Sequence, residues 1–384
     1  MSNSATASIA GTVAPYRVML CDDSAVVRGI IRRILEADPC VKIVATAENG
    51  AMAIESLQRI PADVVVLDIE MPVMDGLAAL PRLLAVQPRV KIIMASTLTV
   101  RNAAVTMRAL AAGAADYVAK PTTSAEISSA GDFRRELLEK VKALGAAAHR
   151  ESDHSRAGIA RTRSSVAESP PHPARGETPR IPFALRSPSS ASPRVLAIGS
   201  STGGPQALFA LLSALKLDFA LPILITQHMP KTFTGILADH LATACGRPSG
   251  EGQDGERIQP GRIYVAPGDF HMELERRADG VAIRLSKAPP ENYCRPSVDP
   301  MFRAVAAAYG ETALGCILTG MGSDGSLGGK AMIAAGGTVI AQDEASSVVW
   351  GMPGAAAHAG ICSAVLPLAD LAPRIRKLAG LRTP

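Results

Sequence analysis

The chain has 384 residues, 47% hydrophobic and 20% charged, which is enough apolar material for two or three domains of about 100–200 residues each. Aromatic residues make up only 3%, which argues against a base-stacking surface and a nucleic-acid partner. Lys and Arg outnumber Asp and Glu by 40 to 35, a net charge of +5, and no run of 18 apolar residues occurs, so no membrane insertion is predicted.

Residues 1–14 read as a disordered Ser/Ala/Thr tail without the basic start or apolar core of a secretion signal. Six widely spaced cysteines with no C-x-x-C pair predict reduced thiols and a cytoplasmic protein. From Arg17 onwards, β-branched runs at 17–21, 41–46, 64–67, 91–94 and 117–119 alternate with helical patterns at 26–35, 51–57, 76–86, 102–112 and 133–144. The unbroken VVVL at 64–67 is what a central parallel strand covered on both faces requires. Five βα units predict a small doubly wound sheet over residues 15–144.

Residues 145–193 hold nine Ser, seven Pro, seven Arg, no Lys and four acidic residues. Such a segment buries too little apolar surface to offset its ordering entropy, and it is predicted to be a disordered, solvated linker. It carries +3 of the net charge, so the basic character belongs to the linker. Residues 194–384 are predicted to form a second α/β domain. Its strands lie at 195–198, 223–226, 313–318 and 339–341, and its helices at 205–215, 233–244, 298–309 and 326–335. RIYVAP, HMELER and VAIRLS between 257 and 286 read as an antiparallel hairpin insertion.

Ligands of open α/β sheets collect at the carboxyl ends of strands. Asp22 and Asp23 follow the first strand, Asp68 the third and Lys120 the fifth. Three carboxylates at one sheet edge repel unless a hard cation sits among them, and oxygen ligands suit Mg²⁺. A carboxylate that accepts a phosphoryl group, with Mg²⁺ and Lys120 neutralising its oxygens, fits this set. Helix capping by Asp23 or Ser24 is the competing role. CDDS (21–24), VVVLDIEMPVMDG (64–76), MAST (94–97) and DYVAKP (116–121) together resemble the response-regulator receiver domain. The resemblance implies that Asp68 is the phospho-acceptor. It also implies that Asp22, Asp23, Asp68 and the Glu70 carbonyl surround Mg²⁺, and that Ser96, Tyr117 and Lys120 are switch positions.

The strand at 195–198 runs into GSSTGGP (199–205) and then a helix. This turn has neither the G-x-x-x-x-G-K-[ST] nor the G-x-G-x-x-G spacing, so it reads better as a nucleophile site than as a phosphate cradle. Its helix N-terminus offers amides to an oxyanion, at Thr202, and the Gly-rich loop offers Met321 or Gly322. Ser200 and Ser201 both supply hydroxyls. His228 and His271 compete as the base, while His240 and His358 read as structural. Asp324 follows a strand on a Gly-rich loop, and Asp269 and Asp343 are weaker candidates for the orienting acid.

GSSTGGP, ITQHMP, APGDFHMEL, RPSVDPMF (295–302), LTGMGSDG (318–325) and AQDEASSVVWGMP (341–353) resemble the protein-glutamate methylesterases of bacterial chemotaxis, the CheB family. The resemblance implies a Ser201–His228–Asp324 triad that needs no cofactor for ester hydrolysis. It implies methyl-accepting chemoreceptors as substrate, a chemotaxis histidine kinase as phosphodonor, and a receiver that covers the active site until it is phosphorylated. The fold class that follows is α/β: a flavodoxin-like sheet, then a Rossmann-like sheet with an antiparallel hairpin.

Overall fold

The computed structural model describes residues 14–97, 99–120, 131–163 and 183–381. The first sheet contains β1 (Tyr16–Cys21), β2 (Val41–Ala47), β3 (Val64–Asp68), β4 (Lys91–Thr97) and β5 (Asp116–Lys120). Their order is β2-β1-β3-β4-β5, and every pairing is parallel. Helices α1 (Ala25–Glu36), α2 (Gly50–Arg59), α3 (Gly76–Val86) and α4 (Val100–Ala111) connect the strands. Each starts at a side-chain cap: Ser24, Asn49, Asp75 and Thr99 accept from the amides of Val27, Met52, Ala78 and Asn102. The strand order reverses between β1 and β3, which opens a crevice at their carboxyl ends. A Cβ on Gly76 would lie 2.1 Å from the Asp68 carbonyl oxygen, so glycine lets α3 begin directly beneath the end of β3.

The next helix differs from the sequence reading, which ends it at residue 144. As α5 (Gly131–Arg163) it continues well into the segment predicted as linker. Ala146, Ala147 and Ala148 are strong helix formers, and the last two are buried. His149 Nε2 reaches Asp63 Oδ2 at 3.0 Å, tying the helix back to the sheet. Averaging composition over 145–193 hid this apolar turn behind the Ser and Pro that follow. The far end of the predicted linker is also ordered. The Arg186 amide donates to Cys362 O at 3.0 Å and the Ser189 amide to Thr338 Oγ1 at 2.8 Å, while the Phe183 ring packs edge-on against Trp350 and His358. Residues 164–182 of that linker, and residues 1–13 of the predicted tail, lie outside the described residues.

The second domain runs β6 (Val195–Ser200), α6 (Gly204–Ala214), β7 (Ile223–Gln227), α7 (Lys231–Cys245), β8 (Ser249–Glu251), β9 (Ile263–Val265), β10 (His271–Arg277), β11 (Gly280–Ser286), α8 (Val298–Tyr309), β12 (Ala313–Ile317), α9 (Ser326–Ala334), β13 (Thr338–Gln342), α10 (Met352–His358), β14 (Ala364–Leu366) and α11 (Leu368–Leu378). Seven strands form a parallel sheet ordered β14-β13-β12-β6-β7-β9-β8, and β10 and β11 form a separate antiparallel pair. RIYVAP therefore leaves the predicted hairpin: β9 joins the main sheet, parallel to β7 and β8. A three-residue buried run carries no periodicity from which its partner can be read. The order reverses at β6, between β12 and β7, and this places a second switch-point crevice at the ends of those three strands.

The two domains pack closely. Met107, Leu110 and Tyr117 share one apolar cluster with Leu208, Phe233 and Leu237. Met321, Val348 and Val349 join Phe133 and Leu137 of α5 in another. No helix among the described residues is long and apolar enough to cross a membrane.

Candidate active site and phospho-acceptor site

At the first crevice, β1 delivers Asp22 and Asp23, β3 delivers Asp68 and β5 delivers Lys120. A carboxylate oxygen from each of the three acids lies within 4.8 Å of the others. Lys120 Nζ sits 2.7 Å from Asp68 Oδ1 and 3.1 Å from Asp22 Oδ2. Asp22, Asp68 and Lys120 are buried, while Asp23 is exposed. Burial raises Asp68 to about 6, with Lys120 opposing and Asp22 adding to the rise. An all-oxygen donor set of this density with one cation beside it fits Mg²⁺. Glu70 follows at the exposed rim and, with Asp23, lines a cleft of about 610 Å³. Ser96 is buried and its hydroxyl donates to Thr97 O at 3.2 Å. The Tyr117 ring lies in the domain interface, stacked on Phe233.

At the second crevice, Ser200 and Ser201 part company. Ser200 ends β6 fully buried, donating its hydroxyl to Gln227 Oε1 at 2.7 Å on the neighbouring strand. Ser201 begins the turn, half-buried, with its amide held by Thr319 O at 3.0 Å. A Cβ on Gly204 would come within 2.0 Å of Gln227 Oε1, so glycine allows α6 to start this close to the strand ends. The amides of Thr202, Met321 and Gly322 have no hydrogen-bond acceptor among the described residues.

His228 lies one residue beyond β7, with its amide on Ser200 O at 3.2 Å. Its Nε2–H donates to Asp324 Oδ2 at 2.7 Å, and its Nδ1 lies 3.4 Å from Cys294 Sγ. Burial disfavours a charged ring, but Cys294 and Asp324 beside it outweigh burial and raise His228 to about 10. Asp324 is only 1% exposed. Its Oδ2 also accepts from the Val298 amide at 2.7 Å, and its Oδ1 from the Asp299 and Gly325 amides at 2.9 Å each. Ser297 Oγ lies 2.9 Å from both oxygens. Burial alone would raise this carboxyl; the bond and charge of His228 and these amides hold it at about 2.

The rival residues have other partners. His271 is fully buried, with Nε2–H on Pro289 O at 3.1 Å and Nδ1 accepting from the Ser297 amide at 3.2 Å, so both ring nitrogens are committed to structure. His358 donates to Gly354 O within α10, and His240 lies on α7 beside Phe209. Asp269 is exposed, and Asp343 caps its own turn through Ser346. Cys294, Asn292, Ser297 and Asp299 surround the His228–Asp324 pair, and the residue reading singled out none of them. Ser297 and Asp299 lie in the quoted RPSVDPMF; Cys294 and Asn292 carry no signal without the fold.

The response regulator receiver domain profile matches residues 18–131, and the CheB methylesterase profile matches residues 196–375. A protein-glutamate methylesterase/protein-glutamine glutaminase 1 of Paramagnetospirillum magneticum is 56% identical over 368 residues, covering 95% of this chain and 97% of that one. The chain belongs to the CheB methylesterase family. A protein-glutamate methylesterase/protein-glutamine glutaminase of Azospirillum brasilense is 57% identical over 373 residues, 95% of this chain and 93% of that one. The crystal structure of the Thermotoga maritima CheB methylesterase catalytic domain is 39% identical and covers 49% of this chain and 100% of that one, with a TM-score of 0.48.

Proposed function

We propose that the chain is a phosphorylation-activated hydrolase that removes methyl groups from glutamate methyl esters on chemoreceptors and deamidates specific receptor glutamines. Ser201 Oγ attacks the ester carbonyl while His228 takes its proton. Because Asp324 holds Nε2, Nδ1 is the nitrogen that serves Ser201. The Thr202 amide, with Met321 or Gly322, stabilises the oxyanion. His228 then protonates the departing methoxide, and methanol leaves an acyl-Ser201. Water, deprotonated by His228, hydrolyses that ester to glutamate and regenerates the Ser201 hydroxyl. In the glutaminase reaction the leaving group is ammonia. General acid–base assistance is worth about 10²–10⁴-fold and one oxyanion donor about 10²–10³-fold.

Regulation runs through Asp68, which accepts a phosphoryl group from a histidine kinase. Asp22, Asp23, Asp68 and the Glu70 carbonyl would hold Mg²⁺, which supplies charge neutralisation for the phosphoryl oxygens. Lys120 faces the same oxygens, and Ser96 and Tyr117 carry the change towards the interface. In the docked arrangement α5 covers Met321, and the Arg135 guanidinium lies 5.0 Å from the Tyr293 ring centroid beside Cys294. In this arrangement His228 Nδ1 lies 3.4 Å from Cys294 Sγ.

The observation that carries this reading is the His228–Asp324 bond in the crevice where Ser201 turns out of β6, beneath the receiver. Methanol release from methylated receptor membranes, with and without a phosphodonor, tests it. No release in either condition, or release that a phosphodonor leaves unchanged, would count against it.

A further inference from the structure

The segment between β11 and α8 touches both members of the His228–Asp324 pair. Cys294 meets the ring, while Ser297 and Asn292 meet the carboxylate. Asn292 is the residue that no step above uses. Its Nδ2 lies 3.0 Å from Asp324 Oδ1 and 3.0 Å from Asp299 Oδ2. A carboxamide nitrogen has two hydrogens, and here each goes to a different carboxylate. Asp299 is as deeply buried as Asp324, and its other oxygen accepts the Gly328 amide at 2.6 Å. Two buried carboxylates side by side repel each other. Burial and the nearby Asp324 push the Asp299 carboxyl up, with the Gly328 and Asn292 donors opposing.

The backbone at this point is held in an unfavourable conformation. Asn292 and Tyr293 are consecutive left-handed residues, with φ of 52° and 61°. Asparagine tolerates that region and tyrosine does so poorly, so the turn persists because its surroundings over-determine it. Reciprocal backbone bonds between Glu291 and Cys294, at 3.2 and 2.9 Å, close the turn, and Glu291 is paired with Arg303 of α8. This conformation points the Asn292 amide between the two acids.

We propose that Asn292 is a positioning residue for the esterase reaction: its carboxamide ties Asp324 to Asp299 and keeps the other Asp324 oxygen aimed at His228 Nε2. It acts through Asp324 and touches no substrate atom. The proposal rests on reading His228 and Asp324 as the base and its orienting acid. The titratable and charged groups around Asn292 include Asp299, Asp324, His228, Tyr293, Cys294, Glu291 and Arg303, with Arg135 of α5 over the Tyr293 ring.

The test uses phosphorylated full-length enzyme and methanol release from methylated receptor membranes, between about pH 6 and about pH 9, with the Tm of every variant. Asn292→Ala should lose kcat by about tenfold to 100-fold, with KM little changed. Asn292→Asp puts a third carboxyl between two others. When protonated it donates a hydrogen bond, and when ionised it repels, so its kcat relative to native enzyme should fall as pH rises. Asp299→Asn in that background removes one carboxylate and should flatten the fall. A folded Asn292→Ala with native kcat, a loss borne by KM alone, or a pH-independent ratio for Asn292→Asp would overturn the proposal. Should Asn292→Ala fail to fold, the Asn292→Asp ratio decides. Asp324→Asn is measured alongside: native kcat there means the triad reading fails, whereas a large loss there with native-like Asn292 variants sinks this proposal alone.

Discussion

The ring of Tyr117, at the end of the receiver sheet, lies on the ring of Phe233 at the start of α7, with centroids 4.5 Å apart and planes 18° from parallel. Lys140 Nζ also lies over the Tyr117 ring, 4.8 Å from its centroid, and reaches Asp116 Oδ1 at 3.4 Å. Tyr117, the residue we propose as a switch position, is thereby built into the packing between the two domains. An aromatic pair of this kind is worth about 0.5–1.5 kcal/mol beyond its area.

Phe233→Leu keeps a buried side chain but removes the stack. Unphosphorylated turnover is expected to rise by about twofold to tenfold, because a change of about 1.4 kcal/mol in docking shifts the open fraction up to tenfold. Methanol release without phosphodonor measures it, together with Tm. Unchanged basal turnover in a well-folded variant would show that the stack does not hold the domains together.

Asp68→Asn should abolish stimulation by a phosphodonor plus Mg²⁺. The amide keeps the shape of the carboxyl group but is not a nucleophile for phosphorus, and it removes one of the three clustered carboxylates. The ratio of turnover with and without phosphodonor is the measurement. A ratio equal to that of native enzyme would move the acceptor to another residue.

Cys294→Ala should shift the pH dependence of the unphosphorylated enzyme. Cys294 and Asp324 both favour the imidazolium and raise His228 to about 10. Removing one of them lowers that value, so at any given pH a larger fraction of the ring is neutral and able to accept the Ser201 proton. The alkaline-rising limb of the pH–rate profile should therefore move to lower pH. A limb that stays in place, or moves to higher pH, would contradict the role given to the thiol.

Ser201→Ala should remove turnover by several orders of magnitude, leaving only what the oxyanion donors and binding supply. Ser200→Ala loses one buried hydrogen bond to Gln227, costing about 1 kcal/mol of stability, and should retain most turnover. Tm and methanol release for both variants separate these effects. An inactive but stable Ser200→Ala protein would reverse the assignment.

Much of the architecture is written locally. The VVVL run of β3 is buried along its whole length, and the caps Ser24 and Asp75 stand where the helical patterns begin. Acids and hydroxyls at strand ends are visible in sequence because a parallel strand delivers its last residues to a common edge. The run of α5 past residue 144 was not legible, since part of its hold on the sheet is a bond from His149 to Asp63, 86 residues away. The partner of RIYVAP was equally hidden, because three buried residues have no period.

The sequence by itself determined that two α/β sheets exist and that each brings chemistry to its strand ends. Only the tertiary structure decided which partners the groups at the second edge meet. Ser200 and Ser201 are adjacent and chemically alike, and they differ because one meets Gln227 across the sheet while the other turns outward. His228 and His271 differ because Asp324 faces the first, while Pro289 and Ser297 consume both nitrogens of the second. Asn292 gains meaning only from two carboxylates, one 7 residues ahead and one 32 residues ahead, that folding brings to within 3.0 Å of one nitrogen. Short-range patterns record which conformation each segment prefers. Hydrogen-bond partners distant in the chain are set by packing, which no local pattern encodes.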